Sequence, residues 1–221
     1  MRAIVLAAGR GERMRPLTDA RPKPLLSVGG KPLIVHHLEA LARAGVREAV
    51  VNLSWLGHMI PAALGECCAG VHLSYSDEGP VALETGGGIF RVLEWLGPEP
   101  FLVVNGDVWT DFEFARLSLD AGALARIVLV PNPSQHPRGD FSFDGQNVGE
   151  DEGRRFTYSG MGLYRPELFS GCMPGRFPLL PLLRRAIATR QLRGLIHTGR
   201  WHDIGTPERL AALDAELLAE A

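Results

Sequence analysis

The chain is poor in the residues that would mark several protein classes. Of its 221 residues, 3 are cysteines. Cys67 and Cys68 adjoin while Cys172 stands far off, so neither a disulfide framework nor a CxxC zinc pair can be assembled. A reducing compartment suits such a chain. No apolar run approaches the roughly 18 residues that a membrane span needs, and the N-terminus lacks a charged-then-apolar leader with a cleavage site. The expectation is a cytoplasmic protein. Neither sign of charge dominates: 23 Lys and Arg against 25 Asp and Glu leave a net charge of −2. That removes the electrostatic reason for general nucleic-acid or membrane-surface binding, so any basic site is local. Internal repeats and low-complexity tracts are also missing.

What is present is a βαβ rhythm. Strand-length apolar runs at 3–8, 48–53, 71–76 and 101–106 alternate with helical segments at 32–44 and 87–96. Pro32 opens the first helix and Gly45 follows it; Gly97-Pro98 stops the second. Unbroken apolar strands between helices predict an α/β fold with a mostly parallel central sheet and helices on both faces. Ligands then gather outside the carboxyl ends of the strands. From about residue 126 the pattern changes. RIVLV reads as a strand, 131–155 as turns, and FTYSGMGLYR as an antiparallel strand. A loop over 170–181 precedes a helix over 182–190, and Thr206-Pro207 starts a terminal helix reaching about Ala219. The expectation is one domain over 1–221, with changes of character near 125 and 205 and a C-terminal helix over 206–221.

The loop VLAAGRGERMRPLT follows the first strand. It is not the dinucleotide motif GxGxxG, because Met14 stands where the third glycine belongs, and no GK[ST] makes a P-loop. Gly9 and Gly11 expose backbone N–H groups to an anion, and Arg13 offers a planar fork of donors suited to phosphate. Lys23, between Pro22 and Pro24, is a charge on a stiff base. In VNGDVWTDF a buried strand delivers Asn105 and Asp107, with Gly106 read as the turn between them. Asp203 in WHDIGT also ends a strand. Either aspartate alone also fits a simple turn, but beside a phosphate loop they suggest Mg²⁺, which takes one or two carboxylates plus substrate phosphates. In SDEGPVALETGGGIF the backbone at Thr85 to Gly87 can approach a flat base closely, and Glu78 and Glu84 are acceptors for the N3–H of uracil or thymine. Adjacent His36 and His37 lack the i, i+4 spacing of a zinc pair and read as filler, as do Trp55, Trp95 and Trp109.

Taken in order, LAAGRGERMRPLT, RPKPLLSVGGKPL, NGD and WHDIGT resemble the sugar-1-phosphate nucleotidyltransferases over nearly the whole chain. Its short length, with ETGGGIF, VNGDVWTDF and RGDF, is most similar to members acting on N-acetylmuramate 1-phosphate. The resemblance implies the Rossmann-like nucleotide-diphospho-sugar transferase fold, UTP and a sugar 1-phosphate as partners, Mg²⁺ as cofactor, and a monomer or weak homo-oligomer. It implies that Gly11, Glu12 and Arg13 hold the triphosphate, that Lys23 clamps phosphate, and that Asp107 and Asp203 bind the metal. Ala8, Gly9, Thr85 and Gly86 would contact the nucleoside. Asn105 and Asp140 would hold nucleotide or sugar, with Ser159 and Gly160 in the sugar wall. Here Tyr158 precedes Ser159-Gly160, where relatives acting on N-acetylglucosamine phosphate carry asparagine before a Thr-Gly pair. A lactyl carboxylate requires a cation, for which Arg138 is the first candidate and Arg154 or Arg155 the second. The alternatives are the same chemistry with another hexose 1-phosphate and GTP, CTP or dTTP, or a non-catalytic sensor, which has no use for a clamp on a leaving group.

Overall fold

The computed structural model describes residues 1–151 and 153–220. Strand β1 (Arg2–Leu6) lies between β2 (Glu48–Leu53) and β4 (Phe101–Asn105), parallel to both, and β3 (Val71–Asp77) continues the parallel array beyond β2. The successive side chains of these strands serve two cores, as strand geometry requires. Ala3, Val5, Ala49 and Val51 pack on Ile34, Leu38 and Leu41 of helix α1 (Leu33–Arg43). Ile4, Val50 and Val103 pack on Ile89 of α3 (Glu84–Arg91) and Leu182 and Leu183 of α5 (Leu180–Ala188). Helices α2 (Met59–Leu64) and α4 (Leu93–Leu96) complete the two faces. The segment expected as one helix over 87–96 instead begins at Glu84 and breaks at Val92, whose φ of −108° and ψ of 12° are not helical.

Past β4 the sheet becomes mixed. Strand β8 (Arg155–Tyr164) runs antiparallel to β4, to β6 (Ala125–Val130) and to the short β7 (Phe141–Phe143), which lies inside the stretch expected as turns. β9 (Leu192–Ile196) adds in parallel to β6. A register shift in β8 between Tyr158 and Gly162 splits it into an outer half that meets β7 and the end of β6 and an inner half held between β4 and β6.

A separate two-stranded ladder, β5 (Val108–Thr110) against β10 (Trp201–Asp203), sits at the carboxyl end of β4. It rests on a third core in which Met14 and Trp109 meet Ile204, Leu210 and Leu213. The last two belong to α6 (Pro207–Ala219), capped by Thr206, whose hydroxyl accepts the Arg209 N–H. Met14, which breaks the dinucleotide motif, is therefore the apolar peg that seats the first loop on the C-terminal helix.

Neither histidine of α1 is idle filler, because both grip β5. The Trp109 Nε1–H donates to His36 Nδ1 at 3.2 Å, and His36 Nε2 faces the Val28 carbonyl at 2.9 Å. His37 is buried and bonds the Val108 backbone; desolvation pulls it from its ordinary 6.5 down to about 4. Native His37 is therefore neutral, whereas the unfolded chain takes up a proton below about 6.5. Its contribution is fully present above pH 6.5 and is lost as pH falls toward 4. Calorimetric melting from pH 7.5 to 4.5 should show His37→Gln losing less stability on acidification than the wild type, by up to roughly 1.4 kcal/mol per pH unit in that window.

Candidate active site

Two cavities open at the carboxyl ends of β1, β2, β3 and β4. The first, about 510 Å³, is bordered by the 6–13 loop, Lys23, Glu78, Thr85 and Gly205. The second, about 260 Å³, is bordered by His136, Asp140, Tyr158, Gly160 and Trp201. Asn105 and Asp107 line both. They stand at the junction.

A short polar chain fixes the floor of the first cavity. Asn52, at the end of β2, accepts the Ala7 N–H at 2.6 Å and donates to Glu78 Oε1 at 2.8 Å, while Glu78 Oε2 accepts the Leu83 N–H at 2.6 Å. Three strand ends are tied together in this way without using the Gly9–Arg13 backbone. At Gly11 the chain turns left-handed, with φ +62°, and its carbonyl accepts both the Met14 N–H and the Thr18 hydroxyl at 2.8 Å. A Cβ there would lie 2.9 Å from Thr18 Cγ2, so glycine is required both by conformation and by space. Exposed Arg10 leans over the Trp55 ring at 4.7 Å, beside Glu12. Arg13 borders the cavity next to Gly205 and, among the described residues, has no carboxylate within ion-pair distance.

At the junction, Lys23 is buried to 8% side-chain exposure and its ammonium lies 3.0 Å from Asp107 Oδ2. Pro22 is extended before it and Pro24 follows in a tight 3₁₀ turn. Asp203 faces Val108 across the β5–β10 ladder, and the Ile204 N–H donates to the Asp107 carbonyl at 3.0 Å, so the two aspartates are neighbours. Asp203 Oδ2 accepts from Arg209 Nη1 at 2.8 Å. Each carboxylate thus keeps one oxygen outside these ion pairs. Among the described residues no group of three or more His, Cys, Asp or Glu could hold a metal by itself. A pair of hard oxygen donors is what Mg²⁺ requires when phosphates complete its shell.

Gly106 does not serve as a left-handed turn. Its N–H donates to the Leu6 carbonyl at 2.8 Å and a Cβ would sit 2.8 Å from that oxygen, so it lets the start of the Asp107 segment press on the end of β1. Beside it, Asn105 packs on Gly160, and Asn105 Oδ1 is buried with no hydrogen-bond partner among the described residues. A polar atom left unpaired at a cavity junction is costly unless a ligand supplies its donor.

The sequence of residues 2–141 matches the family model described as nucleotidyl transferase. The chain is 48% identical to N-acetylmuramate alpha-1-phosphate uridylyltransferase of Neisseria meningitidis, covering 100% of this chain and 99% of that one. It is 38% identical to the protein of the same name from Caulobacter vibrioides, covering 99% and 97%. The chain belongs to the nucleotidyl transferase family. Solved structures share the fold. HddC from Yersinia pseudotuberculosis superposes with a TM-score of 0.79 at 21% identity, covering 97% of this chain and 98% of that one. The inositol-1-phosphate CTP transferase of T. maritima gives 0.77 at 18%, covering 99% and 95%.

Not every expected residue of this nucleotidyl transferase reaches its cavities. Arg138 borders a separate outer depression with Asn132, Arg154 and Arg155, because the left-handed turn at Gly139 parts it from Asp140. Gly86 does not line the first cavity; a Cβ there would strike Phe177 at 2.6 Å, so it serves helix packing. Glu84 does line the first cavity, where it is drawn into an ion pair with Arg176 at 2.9 Å. Ser159 borders the second cavity but is wholly buried, its Oγ accepting the Met161 N–H. Ala8, Gly9, Gly11, Glu12, Arg13 and Thr85 do line the first cavity, and Asp140 and Gly160 the second.

Sequence reasoning overlooked Asn52, Arg209 and His136. A polar residue closing the apolar run EAVVNL was a readable signal for Asn52; the other two depend on long-range packing. Replacing Asn52 by leucine would strand the Ala7 N–H and one Glu78 oxygen. Urea unfolding should show Asn52→Leu destabilised by about 2 kcal/mol, against a few tenths for an exposed control such as Glu113→Gln.

Proposed function

We propose that the chain transfers the uridylyl group of UTP to N-acetylmuramate α-1-phosphate, yielding UDP-N-acetylmuramate and pyrophosphate. The observation that carries this reading is the ion pair of buried Lys23 with Asp107 at the junction of two cavities. One cavity is lined by a glycine-rich, arginine-bearing loop and the other by the polar wall of β8. The two full-length relatives at 48% and 38% identity bear the name of this activity. In this reading residues 1–125 mainly hold the nucleotide and 126–205 mainly the sugar phosphate. The enzyme works in the cytoplasm, where its product returns a cell-wall sugar to use.

A phosphate oxygen of the sugar ester attacks the α-phosphorus of UTP in line, and the bond to the bridging oxygen of the leaving pyrophosphate breaks. No protein nucleophile is needed. Lys23 holds the incoming phosphate beside the α-phosphorus, overcoming repulsion between two anions. Arg13, without a carboxylate partner, takes up charge on the departing pyrophosphate. Backbone N–H groups of Gly9 to Arg13 cradle the remaining phosphate oxygens. Ala8 and Thr85 contact the nucleoside. Asn105 supplies its unpaired oxygen to a substrate hydroxyl at the junction. Asp107 and Asp203 would hold Mg²⁺, which would supply neutralisation of phosphate charge. Lys23 exchanges Asp107 for the substrate phosphate as that phosphate enters.

Pyrophosphate release should require Mg²⁺, UTP and N-acetylmuramate 1-phosphate, and should be weaker with N-acetylglucosamine 1-phosphate or glucose 1-phosphate. Chelation by EDTA should abolish it and added Mg²⁺ restore it. Lys23→Met and Asp107→Asn should each lower kcat by on the order of 10²-fold to 10³-fold. Release with a different nucleotide or sugar would replace the substrate pair; release with none would favour a sensor.

A further inference from the structure

The second cavity is uneven in charge. At its inner end stand Asp107 and Asp203, each with its cation, Lys23 or Arg209. Around the rest of it, among the described residues, there is no lysine or arginine, and the only side chain able to carry positive charge is His136. The arginines expected for this purpose, Arg138, Arg154 and Arg155, border the other depression. Arg155 is further committed to the carbonyl oxygens of Asp140 and Glu150.

His136 is built in rather than merely present. Its backbone N–H donates to the Pro133 carbonyl at 2.9 Å and its carbonyl accepts the Gly139 N–H at 3.3 Å, closing a turn that contains Pro137. Its Nε2 lies 3.0 Å from Asp140 Oδ1, while Asp140 Oδ2 accepts the Tyr158 N–H at 2.8 Å. Both oxygens of Asp140 are thereby used to hold the ring against β8. The Tyr158 hydroxyl is itself bonded to Tyr164 at 2.8 Å, so this wall does not yield readily. The imidazole remains 44% exposed, and Nδ1 has no hydrogen-bond partner among the described residues.

We propose that His136, positioned by Asp140, is the residue that recognises the lactyl carboxylate of the sugar. The inference rests on the reaction given under Proposed function. N-acetylmuramate differs from N-acetylglucosamine by a lactyl ether that ends in a carboxylate. With the anomeric phosphate at Lys23, that carboxylate enters a cavity already holding three acidic side chains: Asp107, Asp203 and Asp140. It needs a cation of its own. With Nε2 given to Asp140, Nδ1 is the ring nitrogen left to face the lactyl carboxylate, and as an imidazolium the ring donates to both carboxylates at once. The carboxylate thus completes its own recognition site.

The test compares N-acetylmuramate 1-phosphate with its lactyl carboxamide, which has the same shape without the charge. The wild-type enzyme should prefer the acid by about 10-fold to 100-fold in kcat/KM, in the range of a charge-assisted hydrogen bond. His136→Gln, similar in size and still able to donate, should reduce that preference to a few-fold, whereas His136→Lys should keep most of it. Circular dichroism would show both variants folded. Three outcomes overturn the proposal: a wild type indifferent to acid and amide, a His136→Gln enzyme with the wild-type preference, or an equal loss on both substrates in His136→Gln. A wild type that turns over neither compound is a separate result, since it overturns the reaction itself.

Discussion

The ion pair between Lys23 and Asp107 is the constraint around which the rest is arranged. An ammonium buried to this degree is costly without a counter-charge, and a carboxylate at the end of a parallel strand needs a reason to stay close to it. Both groups are delivered by rigid pieces: Lys23 by a turn between prolines, Asp107 by the step from β4 to β5. The close contact of Gly106 with the Leu6 carbonyl sets the depth at which Asp107 emerges. The pair therefore sets a buried ammonium and a half-exposed carboxylate side by side where the two cavities meet.

The C-terminal third supports that arrangement from the far side. Among the described residues β10 pairs with β5 alone, and its position depends on α6, through Arg209 on Asp203 and through the apolar contacts of Leu210 and Leu213. The same core includes Met14, so the first loop and the last helix share one anchor. Asp214 reinforces it by accepting the Gly29 N–H at 2.7 Å. Residues almost a full chain apart thus place Arg13 and Asp203 on the same rim.

Much of the frame was readable in advance for a simple reason. A parallel strand buried on both faces is an unbroken apolar run, and four such runs between helical segments leave few arrangements. The carboxyl-end rule then directs attention to Gly9–Arg13, Asn105, Asp107 and Asp203. The second half was less legible. β7 has 3 residues within polar turns, and β8 changes partners along its length, so neither offers a periodic signal. ETGGGIF looked like a ligand-facing glycine run. In the fold its Gly86 and Gly87 admit Phe177 and the Gly175 carbonyl instead, and Gly88 admits Glu78 and Asn52.

By itself the sequence determined the fold class, the glycine- and arginine-bearing loop after β1 and the identities of the charged residues at the junction, because each follows from local pattern: apolar periodicity, glycine and proline placement, and charge at strand ends. Tertiary structure alone decided the partnerships. It joined Lys23 to Asp107 across 84 residues and Ala7 to Asn52 across 45. It sent Arg138 outward and His136 inward, although only Pro137 separates them. A side chain's destination depends on turns such as that at Gly139 and on which strand packs behind it, and neither is encoded within the few residues around it.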